Sequence, residues 1–191
     1  MHIRKAQSTP KVLIICGPSG VGKGTLIKML TKVRGKEVGF SVSHTTRAVR
    51  QGEVDGQDYH FTSKYLMEKH MKQGRFLESA RVHSNIYGTS FASVQFVTAQ
   101  GKTCILDIDV QGVRACRKKK LDGVYVFIAP PSQHELARRL RGRGTESVAQ
   151  VEERLRNGKL ELEAAAEPGL FDYVIVNDQL DKALAQLLSV L

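Results

Sequence analysis

The sequence predicts an α/β chain built on a parallel sheet, and three observations carry that expectation. The apolar run Val12-Leu13-Ile14-Ile15-Cys16 reads as a buried strand; a glycine-rich loop follows, then Thr25-Leu26-Ile27-Lys28-Met29-Leu30 with helical apolar spacing. Further apolar strands begin at Thr103, Val124 and Tyr173 and alternate with helical stretches, the pattern of strand–helix–strand units. Between about residues 42 and 92 the elements are short and of mixed type, which points to a small mixed α/β insertion between core units. A length of 191 residues fits one domain with a substantial core.

The loop itself is Gly17-Pro18-Ser19-Gly20-Val21-Gly22-Lys23-Gly24-Thr25. Its glycines let the backbone curl so that several N–H groups point at one anion. The helix start adds unpaired donors and a partial positive charge. Lys23 adds a full charge for β- and γ-phosphates. Strand, loop and helix together are the context of a phosphate-binding loop. Gly24 stands where a Ser or Thr hydroxyl ordinarily reaches Mg²⁺. The metal would therefore lean on water, on phosphate oxygens and on Thr25, which Mg²⁺ tolerates because it keeps its waters readily.

Glu37 to Ser43 reads as a short strand, and the polar stretch from Ser43 to Tyr59 places Arg47 and Arg50 three residues apart. That stretch could be a surface loop, but hydroxyls beside forked guanidinium groups also grip phosphate well. Strands at 59–61 and 76–82 flank a helix around 64–72, and Asn85 to Thr89 reads as a turn or edge strand. A helix over 91–99 leads to the strand Thr103-Cys104-Ile105-Leu106-Asp107-Ile108-Asp109. Its two carboxylates would share a face on an ideal strand. Asp107 is placed to face a hydrated Mg²⁺, with a plain turn former as the alternative.

Helix 110–120 ends in Arg117-Lys118-Lys119-Lys120, read as a solvated helix end. After the strand 124–129, Pro130-Pro131-Ser132 stops the strand and caps the next helix. Arg138, Arg139, Arg141 and Arg143 surround a Gly-x-Gly turn with helices on both sides. A solvent-facing helical hairpin would explain them, but glycine hinges and the use of arginine favour a mobile flap that contacts phosphate. A long helix to about Glu167, a last buried strand over 173–178 and a final helix with Leu180, Ala183, Leu184, Leu187, Leu188 and Leu191 on one face complete the chain.

The formal charge is +10, with a pI near 9.7. The only dense basic run has no interleaved aromatic residues, so nucleotides rather than nucleic acid are the expected polyanions. Cys16, Cys104 and Cys116 have no metal-ligand spacing and read as buried reduced thiols of a cytoplasmic protein. No apolar run approaches membrane-spanning length, and no secretory signal is visible in the polar, basic first ten residues. No membrane or nucleic-acid partner is expected, and the chain is expected to be a monomer.

Several pieces taken together resemble the guanylate kinase family. They are the loop Gly17 to Lys23, Ser43 to Arg50 with Gly52-Glu53 and Tyr59, Tyr87-Gly88, Ile105 to Gly112, Arg141 to Thr145 and Val176-Asn177-Asp178. They occur in the family's order over roughly residues 11 to 191. The resemblance implies a three-layer phosphate-loop kinase core with a five-stranded parallel sheet, over about 11–41, 93–133 and 165–191. It also implies a GMP-binding insertion over about 42–92 and a helical lid over about 134–164. The implied reaction moves the γ-phosphoryl group of ATP to GMP, giving ADP and GDP, with Mg²⁺. By position, Arg47, Arg50, Tyr59 and Tyr87 resemble the GMP-phosphate ligands, and Ser43, Glu78, Thr89 and Asp109 the guanine-reading set. Gly17 to Thr25 resemble the ATP-phosphate site, with Arg143 and Asn177 also on the ATP side. Lys23, Arg47, Arg139, Arg143 and Arg154 resemble the charge-neutralising catalytic set, with Thr25 and Asp107 reaching Mg²⁺ through water. The chemistry of guanine fits: a carboxylate at 78 can accept from N1–H and N2, and hydroxyls can donate to O6. A competing expectation is a binding module that keeps the arginines of the GMP site but has lost its ATP loop.

Overall fold

The computed structural model describes residues 12–82, 84–142 and 147–191. The chain opens with β1 (Val12–Cys16), the glycine loop, α1 (Lys23–Arg34) and β2 (Val38–Phe40). Four short strands around one helix follow: β3 (His44–Thr45), β4 (His60–Phe61), α2 (Lys64–Lys72), β5 (Phe76–Val82) and β6 (Asn85–Ser90). Next come α3 (Phe91–Thr98), β7 (Thr103–Asp107), α4 (Val110–Lys118) and β8 (Val124–Ala129). The last four elements are α5 (Gln133–Gly142), α6 (Val148–Ala165), β9 (Tyr173–Val176) and α7 (Leu180–Ser189).

The larger sheet is five-stranded and wholly parallel, in the order β2-β7-β1-β8-β9. β1 lies at its centre, with Ile14 opposite Leu106 on one side and Tyr125 on the other. Strand side chains alternate between faces, so a parallel sheet covered on both sides needs an unbroken apolar run, and β1 is buried at all five positions. Ile14, Cys16, Leu106, Tyr125 and Phe127 pack on one face against Val97 of α3 and Val113 and Cys116 of α4. Leu13, Ile15, Ile105, Val126 and Ile128 pack on the other face against Leu26 and Leu30 of α1 and Ala183 and Leu187 of α7. This is the three-layer arrangement that the family resemblance implied.

The second sheet has the order β4-β3-β6-β5, with β6 antiparallel to both neighbours. β6 is therefore an interior strand and not the turn or edge that its composition implied. Thr45 pairs with Tyr87 on one side of it, and Ala80 pairs with the same residue on the other. Met67, Phe76 and Ile86 form a small core under this sheet.

Four other expectations change. β7 ends at Asp107, and Asp109 lies beyond it as the N-cap of α4, its Oδ1 accepting from the Gly112 N–H at 2.8 Å. The two carboxylates therefore do not share a strand face. β9 is an edge strand in which only Ile175 is buried, because a single neighbour covers it. Leu180 opens α7 at 41% exposure and does not join the face made by Ala183 and Leu187. The basic run at 117–120 is only partly solvated. Arg117 stacks 3.5 Å from the Tyr125 ring centroid and donates to Asp172, while Lys119 donates to main-chain carbonyls of β5.

Candidate active site

The glycine loop is shaped by what lies behind it. Gly17 has φ +145°, and a Cβ there would stand 2.2 Å from the Ile128 carbonyl oxygen of β8, so no other residue fits. Gly22, at φ +101°, is the N-cap of α1 with no side-chain acceptor. The first-turn donors are left for an anion. The Lys23 ammonium donates to the Gly17 carbonyl at 2.6 Å and stands 3.8 Å from Asp107 Oδ1. Burial raises the Asp107 carboxyl above its ordinary range, and Lys23 pulls it down.

Side chains from distant parts of the chain meet the same loop. Asn177, only 2% exposed, donates from Nδ2 to the Val21 carbonyl at 2.8 Å. Its main-chain N–H is bonded to Ala129 of β8. The amide expected on the adenine side is thus buried behind the loop. Arg139 donates to Glu135 at 2.8 Å and reaches the Val21 carbonyl at 3.4 Å, and Arg154 of α6 donates to Ser19 Oγ. Arg143, Gly144 and Thr145 lie outside the described residues. Gly20, Gly22, Thr25, Arg139 and Asn177 line a cavity of about 600 Å³ together with Asp178.

A second cavity of about 410 Å³ joins the loop to the smaller sheet. Gly17, Ser19, Lys23 and Arg154 line one end of it; Ser43, Arg47, Arg50, Tyr59, Glu78 and Tyr87 line the other, with Asp107 and Asp109 in its wall. Arg47 is held in a fork by Glu53, at 2.9 and 2.7 Å, and its guanidinium lies 5.3 Å from the Tyr59 ring centroid. Glu53 also accepts the Arg50 N–H at 2.8 Å, which ties both arginines to one carboxylate. Those bonds lower the Glu53 carboxyl below its ordinary range, the Arg47 side chain foremost.

Glu78 is buried, with Oε1 accepting the Thr89 N–H at 2.7 Å. Burial raises its carboxyl above the ordinary range, while Thr89 pulls it back down. Thr89 is itself fully buried behind Glu78 and does not line the cavity. Asp109 is raised by burial and pulled down by the Gly112 and Gln111 N–H groups.

Two carboxylates that line this cavity had no role in the sequence reading. Glu53 sits six positions from Arg47, and only the loop's folding makes it the arginine's partner. Glu161 of α6 lines the same cavity, and burial raises its carboxyl. A glutamate on an amphipathic helix carries no signal that could have found it.

A glycine loop at the end of the central strand, beside a second pocket lined by Arg47, Arg50 and Arg154, defines a phosphate-loop nucleotide-binding protein. Residues 9–191 match the family model described as guanylate kinase, and the chain belongs to that family. It is 52% identical over 181 residues to guanylate kinase 1 of Oryza sativa subsp. japonica, covering 95% of this chain and 47% of the rice protein. It is 45% identical over 180 residues to the guanylate kinase of Homo sapiens, covering 94% of this chain and 91% of that one. The chain thus spans about half the length of the plant relatives it matches, and nearly all of the human one. The crystal structure of guanylate kinase from Anaplasma phagocytophilum superposes with a TM-score of 0.74 at 28% identity, covering 96% of this chain and 85% of that one.

Proposed function

We propose that this chain transfers the γ-phosphoryl group of ATP to GMP, releasing ADP and GDP. The observation that carries this reading is the 410 Å³ cavity, in which the phosphate loop with Lys23 faces Arg47, Arg50 and Glu78. A degraded binding module would have no use for an intact loop facing that pocket.

In this reading ATP lies with its phosphates on the Gly17–Thr25 loop and GMP with its phosphate on Arg47, Arg50, Tyr59 and Tyr87. The GMP phosphate is itself the nucleophile, so no protein base is needed. The chain's work is to bring two polyanions into line and neutralise their repulsion. Lys23 serves the donor phosphates, Arg47 the acceptor phosphate, and Arg139, Arg143 and Arg154 the group in transit. Glu78 accepts from guanine N1–H and N2, with Ser43 and Asp109 completing the reading of the base, while Thr89, buried outside the cavity, holds Glu78 through its N–H and does not meet the base as the resemblance implied. Adenine would leave those buried groups unpaired, which costs on the order of 10⁴-fold in kcat/KM at such sites.

Mg²⁺ bound to the phosphates would neutralise charge that develops during transfer. The donor set fits an ion held through water: the Asp107 carboxylate stands beside Lys23, and the exposed Thr25 opens α1. The segments over about 42–92 and 134–164 would close over both nucleotides and exclude water. The cytoplasm is the compartment of this reading, supported by three buried free cysteines. A monomer with no nucleic-acid or membrane partner is the working assembly. Among the described residues, no helix is long and apolar enough to cross a membrane.

The test is an ADP-coupled assay with ATP, Mg²⁺ and, in turn, GMP, AMP, UMP and ribose 1,5-bisphosphate. Turnover with GMP alone is expected. Turnover with the sugar bisphosphate alone would discard the guanine assignment, and GMP binding without any turnover would make the chain a binding module.

A further inference from the structure

We propose that Gly112 and Lys119, two residues of the α4 region that touch no nucleotide, fix the Glu78 carboxylate in its base-reading position and so set the preference for GMP. This rests on the reading of Glu78 given above and deepens it.

The register of β5 against β6 shifts between Phe76 and Glu78: Phe76 pairs with Ser90, but Glu78 already pairs with Thr89. Leu77 is the extra residue of a bulge, a device that re-aims the side chain next to it. The bulge is pinned twice from α4. The Leu77 side chain enters the core beside Val113 and Cys116. Lys119 donates to the main-chain carbonyls of Phe76, at 3.3 Å, and of Leu77.

The carboxylate that the bulge presents then meets the first turn of α4. A Cβ at Gly112 would stand 2.8 Å from Glu78 Oε2 and 3.2 Å from its Cδ. It would also be 3.2 Å from the Ile108 Cβ, so the crowding could not be relieved by turning away from Glu78. Oε1 is meanwhile held by the Thr89 N–H at 2.7 Å. A larger residue at 112 must therefore rotate the carboxylate off the Thr89 donor or push it into the cavity. The Gly112 N–H also donates to Asp109 Oδ1, so one turn of helix sets both carboxylates of the base-reading set. Lys119 adds a second effect, because its charge favours the ionised form of a buried Glu78. Only that form accepts from both N1–H and N2.

The experiment measures kcat and KM for GMP, AMP and ATP, with GMP affinity by calorimetry, in the full chain and in Gly112→Ala, Lys119→Met and Lys119→Arg. Gly112→Ala is expected to raise the GMP KM and Kd by about 30-fold and to narrow the GMP-over-AMP ratio in kcat/KM at least tenfold, with the ATP KM within twofold. Lys119→Met should raise the GMP KM about fivefold with little change in kcat, and Lys119→Arg should restore it, because the guanidinium can still donate to both carbonyls. A wild-type enzyme that prefers GMP, with Gly112→Ala and Lys119→Met variants that keep its preference and GMP affinity, overturns the inference alone. A wild type that does not phosphorylate GMP overturns the proposed function and this inference with it. Should Gly112→Ala fail to fold, the pair of Lys119 variants decides by the same GMP readouts.

Discussion

In the proposed reaction the donor side of the cleft comes from nine consecutive residues, Gly17 to Thr25, whereas the acceptor side gathers Ser43, Arg47, Arg50, Tyr59, Glu78, Tyr87 and Asp109 from several strands and loops. The donor side is mostly backbone: glycines at positive φ, open helix-start donors and one ammonium. The acceptor side is made of side chains, two of which are held by neighbouring groups. Arg47 depends on Glu53, and Glu78 depends on Thr89 and on the space left at Gly112. A backbone site is fixed once the local chain folds, while a side-chain site is only as well placed as its supports. Damage should therefore fall differently on the two sides.

The largest effect is expected for Lys23→Met. Removing the charge on the donor phosphates should lower kcat on the order of 10³-fold. GMP affinity measured by calorimetry should stay within about twofold, because the acceptor side keeps its own supports. A Lys23→Met protein with wild-type turnover would break the division into donor and acceptor sides.

Next in size is Glu53→Gln. The fork to Arg47 and the bond to the Arg50 N–H would weaken, freeing both arginines from their common anchor. GMP KM is expected to rise about tenfold, equivalent to about 1.4 kcal/mol. The ATP KM should stay unchanged. An equal rise in both constants would mean that Glu53 supports the whole cleft and not the acceptor side.

Asn177→Ala tests whether the backbone site also has a remote support. Losing the bond to the Val21 carbonyl should cost about 1–2 kcal/mol of stability by thermal unfolding. It should raise the ATP KM severalfold while leaving that of GMP alone. A loss confined to stability would separate the loop's fold from its binding geometry.

The smallest effect concerns pH. His44 of β3 stacks on His60 at 4.7 Å between ring centroids, and its pKa is lowered to about 4 by burial first and then by His60 and His70. The unfolded histidine titrates near 6.5. Stability is therefore full above pH 6.5, falls as the unfolded chain takes the proton first, and is fully lost from this source below about pH 4. Unfolding midpoints of His44→Asn should depend less steeply on pH across that window than those of the wild type. Parallel curves would show that another group of the smaller sheet titrates there.

The same contrast explains what could be read from residues alone. The phosphate loop was legible because its function is local: glycine spacing, lysine and flanking elements lie within one window. The arginines at 47 and 50 showed only as a polar loop with a phosphate-gripping composition, and Glu78 on its own looked like any strand carboxylate. Those residues gained meaning from the joint resemblance to a family. Glu53 and Gly112 lay within the matching pieces but gained no role from them, and Lys119 and Glu161 lay outside them; the anchoring by Glu53 and by Lys119 acts through partners 6 and some 40 or more positions away.

By itself the sequence determined the α/β class, the parallel strands and the loop, because apolar periodicity and glycine placement act over short windows of chain; the three layers followed only from the resemblance to a family. Tertiary structure alone decided the strand order β2-β7-β1-β8-β9, the interior place of β6 and the exposure of β9 at the sheet edge. It also decided that Asp109 caps a helix, that Asn177 clamps the loop from behind and that a bulge aims Glu78 at α4. Pairing order and burial are set by which faces cover one another across long stretches of chain, and no local pattern encodes that choice.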